Sequence, residues 1–232
     1  MHLLLPAAGV GRRMGSDRNK LLLPLIDRPI LAWTLDAAIA ASSIDWIGII
    51  CQPVDRSDFE QIVDQVLSQH QRPTPVEFIP GGDTRQASVY NGLQALPAAA
   101  THILIHDGAR CLATPDLFNR CAVAVRQVAG LIAAVPVKDT IKQVNAQKII
   151  THTPDRAQLW AAQTPQGFEV EWLKRCHRRG QQQNWQVTDD AALLEKCGVP
   201  VSIVEGEETN LKVTTPVDLA IAQSILQQRA KA

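Results

Sequence analysis

The chain has no surplus of charge of either sign: its 232 residues carry 23 Lys and Arg against 23 Asp and Glu. That balance removes the simplest argument for non-specific nucleic-acid binding, which needs a basic excess, and leaves room for one local basic pocket. Long apolar runs are missing too. Leu131 to Val137 is among the longest, far below the roughly 20 residues that span a bilayer, so no membrane partner is expected. The opening Met1-His2-Leu3-Leu4-Leu5-Pro6 has no basic segment before its apolar one, and no secretory signal is expected. The five cysteines (51, 111, 121, 176 and 197) include no Cys-x-x-Cys pair, which suggests neither a disulfide framework nor a zinc site. They read as small core hydrophobes, and the reducing cytoplasm is the default compartment.

What is present is ordinary globular composition, 46% hydrophobic and 20% charged, at a length that allows one large domain or two small ones. Short apolar runs alternate with helix-like segments, which predicts an α/β fold with a mostly parallel sheet flanked by helices on both faces. Strands are expected at His2–Leu5, Trp46–Cys51, Val76–Ile79, His102–His106, Gly130–Val137 and Val201–Val204. Helices are expected near Ile30–Ala41, Phe59–Gln69, Thr84–Leu96, Pro115–Val128, Val170–Arg179, Asp189–Cys197 and Pro216–Gln228. Thr215, Pro216 and Asp218 form a start signal for the last helix, and Gly198 sits where a left-handed stop belongs.

Two stretches break the alternation. Pro6 to Arg28 is a loop far longer than usual between a strand and its helix. Lys138 to Phe168 alternates polar and apolar residues around Asn145-Ala146, as a β-hairpin does. A hairpin cannot bury both faces alone, so it folds back or projects as an arm onto another chain.

After the first strand comes Pro6-Ala7-Ala8-Gly9-Val10-Gly11-Arg12-Arg13-Met14-Gly15. The spacing is one residue too long for a dinucleotide fingerprint, no acidic residue closes the second strand, and a Walker A loop is absent. Small residues there let backbone amides approach phosphate oxygens, and Arg12, Arg13 and Lys20 supply guanidinium forks and a point charge. On spacing alone this reads equally as a phosphate cradle or as a solvated loop with incidental basic residues.

Leu5-Pro6-Ala7-Ala8-Gly9-x-Gly-x-Arg13-Met14 with Lys20 resembles the signature of nucleotidyltransferases that load a nucleotide onto a phosphorylated sugar or polyol. Gly81-Gly82-Asp83-Thr84-Arg85-Gln86-Ala87-Ser88-Val89, His106-Asp107-Gly108-Ala109-Arg110 and Pro136-Val137-Lys138-Asp139-Thr140 extend it. So do Gln163-Thr164-Pro165-Gln166-Gly167-Phe168, Thr188-Asp189-Asp190-Ala191 and Asn210-Leu211-Lys212-Val213-Thr214. Together these are similar to the 2-C-methyl-D-erythritol 4-phosphate cytidylyltransferase family of non-mevalonate isoprenoid biosynthesis. Two departures stand out: Leu21 where many relatives have Gln, and Gly108 where Ala is common.

The resemblance implies a Rossmann-like nucleotidyltransferase fold over residues 1–232, with a β-hairpin dimerisation arm at about 138–160. It implies CTP and a polyol phosphate as partners, a divalent cation such as Mg²⁺, and a homodimer in the cytoplasm (the plastid stroma in a plant). Arg13, Lys20, Arg156 and Lys212 would be catalytic. Pro6, Ala7, Ala8, Gly9, Gly11, Gly82, Asp83, Arg85 and Ser88 would bind the nucleotide. Asp107, Arg110, Thr140, Arg156, Thr164, Thr188 and Lys212 would bind the second substrate, with Asp107 also the metal ligand. The attacking phosphate oxygen is already anionic, so positioning and electrostatics carry the reaction without a deprotonating base.

Blander readings stand beside these. Asp83 would serve as a helix cap, His106-Asp107 as a strand-end turn, and Asp189-Asp190 as favourable acids at a helix start. His2, His70, His102 and His177 suggest no metal site, and Trp33, Trp160 and Trp172 read as packing. A ribitol 5-phosphate cytidylyltransferase shares much of the motif set, and a nucleotide sensor without turnover is the alternative of another class.

Overall fold

A computed structural model describes residues 1–9 and 19–231. Arg13 and Gly11, expected at the phosphates, lie outside the described residues. The strands are β1 (His2–Pro6), β2 (Pro24–Leu25), β3 (Arg28–Pro29), β4 (Trp46–Cys51), β5 (Val76–Pro80), β6 (His102–Ile105), β7 (Gly130–Pro136), β8 (Gln143–Val144), β9 (Ile150–His152), β10 (Trp160–Glu169) and β11 (Ser202–Glu205). The helices are α1 (Ile30–Ala40), α2 (Arg56–Leu67), α3 (Arg85–Gln94), α4 (Pro115–Ala124), α5 (Val170–Gln182), α6 (Ala191–Lys196) and α7 (Pro216–Arg229).

Seven strands form one sheet in the order β11-β7-β10-β6-β1-β4-β5. Every pairing is parallel except the two that β10 makes with β6 and β7. Strand side chains alternate between faces, and the core divides accordingly. Leu3 and Leu5 of β1 pack with α1, α2, α4 and α7, while Leu4 packs with α3, α5 and α6. All three leucines are fully buried, each contributing about 2 kcal/mol of apolar transfer. A sheet covered on both faces is why these strands read as unbroken apolar runs.

Local signals set the helix ends. Thr215 and Asp218 make a reciprocal capping box at α7, and Gly198 has φ +75° just past α6. At α3 the cap is Thr84, whose hydroxyl accepts from the Ala87 amide at 3.0 Å. The alternative that made Asp83 the cap is therefore corrected.

The larger correction concerns β10. The alternation places no strand between the hairpin and Val201, yet Trp160–Glu169 runs antiparallel through the middle of the sheet. Residues 163–168 are buried on both faces and include Gln163, Thr164 and Gln166, so the unbroken apolar run of a central strand is absent. The two glutamine amide nitrogens find acceptors inside: Gln163 Nε2 donates to the Glu207 carbonyl at 2.9 Å, and Gln166 Nε2 to Asp189 at 2.8 Å, while Gln166 Oε1 is buried without a hydrogen-bond partner. Its register against β7 breaks between Ala162 and Gln166, where the Thr164–Pro165 peptide is cis.

The hairpin is present but short. β8 and β9 pair across a turn in which Asn145 Oδ1 accepts from the amides of Gln147 and Ile149 at 3.0 and 2.9 Å. Every residue from 138 to 153 is exposed, including Ile141, Val144, Ile149 and Ile150.

Candidate active site

A cavity of about 720 Å³ opens at the carboxyl ends of β1, β4, β5 and β6, the side of a parallel sheet where ligands bind. Its walls come from the loop after β1 (Pro6, Ala7, Ala8, Gly9), the turn after β5 (Gly82, Asp83, Arg85, Ser88), and Lys20, Asp107 and Lys212. Eleven of the residues expected from sequence therefore share one cavity of the size that holds a small ligand.

Close approach explains the glycine turn. A Cβ on Gly81 would lie 2.6 Å from the Ala8 methyl, and one on Gly82 would lie 2.7 Å from the Ala87 methyl. Only bare backbone lets the turn sit between the first loop and α3. The Gly82 amide donates to Ser88 Oγ at 3.0 Å, which fixes that turn against the helix.

Lys20 begins a short 3-10 turn capped by Asn19. Asn19 Nδ2 donates to the Ala7 carbonyl at 2.7 Å and to Asp55 at 2.8 Å, tying the returning chain to the end of β1. Lys20 Nζ then reaches the Val213 carbonyl at 2.8 Å, beside Lys212.

Asp107 sits among cations. Lys212 Nζ lies 2.7 Å from its Oδ2, with Arg110 Nε and Arg85 Nη2 each 3.9 Å from a carboxylate oxygen. Burial alone would push its carboxyl up, but Lys212, Arg85 and Arg110 outweigh burial and hold it below the usual range. Beneath it, the Asp107 amide donates to Thr164 Oγ1 at 3.0 Å, and Thr164 in turn meets His106 Nδ1 at 3.0 Å. His106 Nε2 faces the Arg110 carbonyl at 3.2 Å, which can only accept. His106 is therefore the neutral Nε2–H tautomer, and Thr164 donates to Nδ1. Burial pushes its pKa down to about 4, so it stays uncharged at neutral pH.

Arg110 is braced rather than extended into the cavity: its guanidinium donates to the carbonyls of Asn210 at 2.7 Å and Ala162 at 3.3 Å. Its Nε is buried without a hydrogen-bond acceptor, on the side of Asp107. Thr140, Arg156 and Thr188 are exposed and do not line the cavity. Arg156 donates to the Lys138 carbonyl at the base of the hairpin, at 2.9 Å.

Sequence reasoning missed Gln52, Thr84 and Thr214 in the wall, and missed why Asp190 is buried. Leu21 and Gly108, the two departures from the family pattern, also line the wall. A methyl on Gly108 would lie 2.9 Å from Leu21 Cδ1, so leucine at 21 fills the space an alanine at 108 would use. Among the described residues no three His, Cys, Asp or Glu gather around one point. A cation here would take one carboxylate, Asp107, and draw its other ligands from substrate phosphates, which is the ligation Mg²⁺ favours.

A family model described as IspD, 2-C-methyl-D-erythritol 4-phosphate cytidylyltransferase, matches residues 1–228. Curated proteins named 2-C-methyl-D-erythritol 4-phosphate cytidylyltransferase are similar along the whole chain. The one from Nostoc sp. is 69% identical over 229 residues, 99% of each chain, and the one from Synechocystis sp. is 64% identical over 230 residues, 99% of this chain and 98% of that one. Among solved structures, the 4-diphosphocytidyl-2C-methyl-D-erythritol synthase of Anaerococcus prevotii superposes with TM-score 0.86 at 28% identity, covering 97% of both chains. The 2-C-methyl-D-erythritol 4-phosphate cytidylyltransferase of Thermus thermophilus gives TM-score 0.74 at 30% identity, covering 97% of this chain and 98% of that one.

Proposed function

We propose that this chain, which belongs to the 2-C-methyl-D-erythritol 4-phosphate cytidylyltransferase family, transfers CMP from CTP to 2-C-methyl-D-erythritol 4-phosphate and releases pyrophosphate. The observation that carries this reading is the single cavity where the small-residue loop, the Gly82 turn, Lys20, Asp107 and Lys212 converge. The name shared by relatives 64–69% identical favours methylerythritol phosphate over ribitol phosphate.

The nucleotide lies over Pro6–Gly9 and the Gly82–Ser88 turn, with its base toward Asp83 and Ser88 and its phosphates toward Lys20. Cytosine offers an exocyclic amino donor and ring acceptors, which suit a carboxylate beside backbone amides. The second substrate's phosphate enters on the side of Lys212, Arg110 and Thr164. Its oxygen is anionic at pH 7, so no side chain removes a proton, and the neutral His106 is consistent with that. Catalysis consists of holding two polyanions in line while fixed cations absorb the growing charge.

Asp107 would hold a divalent cation, which when bound would neutralise the triphosphate. The chain supplies the rest. Lys212, whose Nζ lies 2.7 Å from Asp107, would be shared between that carboxylate and the incoming phosphate. The exposed apolar side chains of the hairpin, Ile141, Val144, Ile149 and Ile150, support its role as a dimerisation arm that carries Thr140 and Arg156 to a partner's site. Five unpaired thiols suit a reducing compartment such as the cytoplasm, and among the described residues no helix is long and apolar enough to cross a membrane.

Paired assays of pyrophosphate release test the reading. Methylerythritol phosphate should support turnover well above ribitol 5-phosphate, and Lys212→Ala should lower kcat by roughly 100- to 1000-fold, as loss of one preorganised donor does. Equal turnover with both polyols, or an unchanged Lys212→Ala enzyme, sinks it.

A further inference from the structure

Asp190 is 1% exposed and immediately precedes α6. A carboxylate at that place usually caps the helix, but here Asp189 does so, accepting from the Ala192 amide at 3.1 Å. Asp190 makes no cap bond. One oxygen lies 2.8 Å from Arg85 Nη1, and the other lies 3.4 Å from His177 Nε2. His177 is itself fully buried and stacks on Tyr90 with ring centroids 5.7 Å apart. A buried charge is expensive unless paired, so Asp190 has a place in this fold only through Arg85 and His177.

Arg85 is in turn the first residue of α3 and part of the cavity wall, with its other terminal nitrogen 3.9 Å from Asp107. Two carboxylates thus compete for one guanidinium, and the shorter contact is to Asp190. Lys212 meanwhile holds Asp107 at 2.7 Å.

We propose that Asp190 is a positioning residue: with His177 behind it, it holds Arg85 against the cavity wall and keeps it from closing on Asp107. Asp107 is thereby left to Lys212 and to the ligands that replace it. Arg85 and His177 hold the Asp190 carboxyl below its usual range although burial acts the other way, so the anchor stays charged. This inference rests on the cavity being the CTP and polyol phosphate site, and its test separates the two claims.

The experiment is a double-mutant cycle of Asp190→Asn and Arg85→Gln, read by pyrophosphate release and by thermal melting. Asp190→Asn is nearly isosteric, so the helix start is retained. In the otherwise native enzyme it should lower kcat/KM by about 10- to 100-fold, the usual range for a group acting through another. In the Arg85→Gln background it should lower it no further, because nothing is left to position. Arg85→Gln alone strands a buried carboxylate and should lower the melting temperature, and adding Asp190→Asn should restore much of that loss. A fall of equal size in both backgrounds, or no fall in the native one, overturns the proposal. Should the unmodified enzyme release no pyrophosphate, the functional reading fails instead, and the melting cycle still decides the coupling: strictly additive melting shifts reject it.

Discussion

His106 shows how a single side chain ties the site to stability. Folding buries it as a neutral ring with its pKa pushed down to about 4, whereas an unfolded histidine takes up its proton near 6.5. Between those values the unfolded chain binds a proton that the fold refuses, so stability is full above about pH 6.5 and falls as the pH drops toward 4. The loss amounts to about 3 kcal/mol if this one group acts alone. Urea midpoints at pH 7 and pH 4.5 check it: His106→Gln should shrink the difference between them, and an unaltered difference would show that the ring does not carry it.

The same scale shows what the sequence makes legible. Lys20, Asp83, Asp107 and Lys212 can be singled out because they stand in motifs whose residue types match a phosphate site, and all four line the cavity. Asp190 could not be assigned a partner, because Arg85 lies on α3, far earlier in the chain, and His177 on α5 across an irregular connection. Local pattern carries no record of such pairings.

Among the elements, α3 places Arg85 and Ser88 at the cavity, and Gly92 sets how closely it lies on the sheet. A Cβ there would come within 2.8 Å of Ile50 Cδ1 and of Leu4 Cδ1, both fully buried. Alanine gains up to about 1 kcal/mol of helix propensity over glycine, but overpacking a closed core costs about 1–3 kcal/mol. Gly92→Ala should therefore lower stability by about 1 kcal/mol in a denaturant melt, and a stabilised variant would show that α3 has room to lift. The strands divide in the same way between what pattern reveals and what it hides. β1, β4 and β6 announce themselves because both faces are apolar, while β10 stays hidden because its inward residues are hydrogen-bonded polar groups.

For the whole molecule the exposed hairpin is the feature that a lone chain does not explain. Thr140 and Arg156 sit on it or at its base, outside the cavity of their own chain. If the arm completes a partner's site, mixing Lys20→Ala chains with Arg156→Ala chains should restore activity, because some sites in the mixed dimers take both needed residues from intact sources. Inactive mixtures in which hybrid dimers are demonstrably present would reject shared sites.

β10 begins at Trp160, at the root of the hairpin, and after its register break between Ala162 and Gln166 ends between β6 and β7. Adding or deleting a residue along it would turn inward-facing side chains outward, unseating Thr164 from beneath Asp107. A one-residue insertion or deletion from Trp160 onward therefore disturbs the floor of the site in its own chain, whereas the same change in the exposed turn at Asn145 leaves that floor seated.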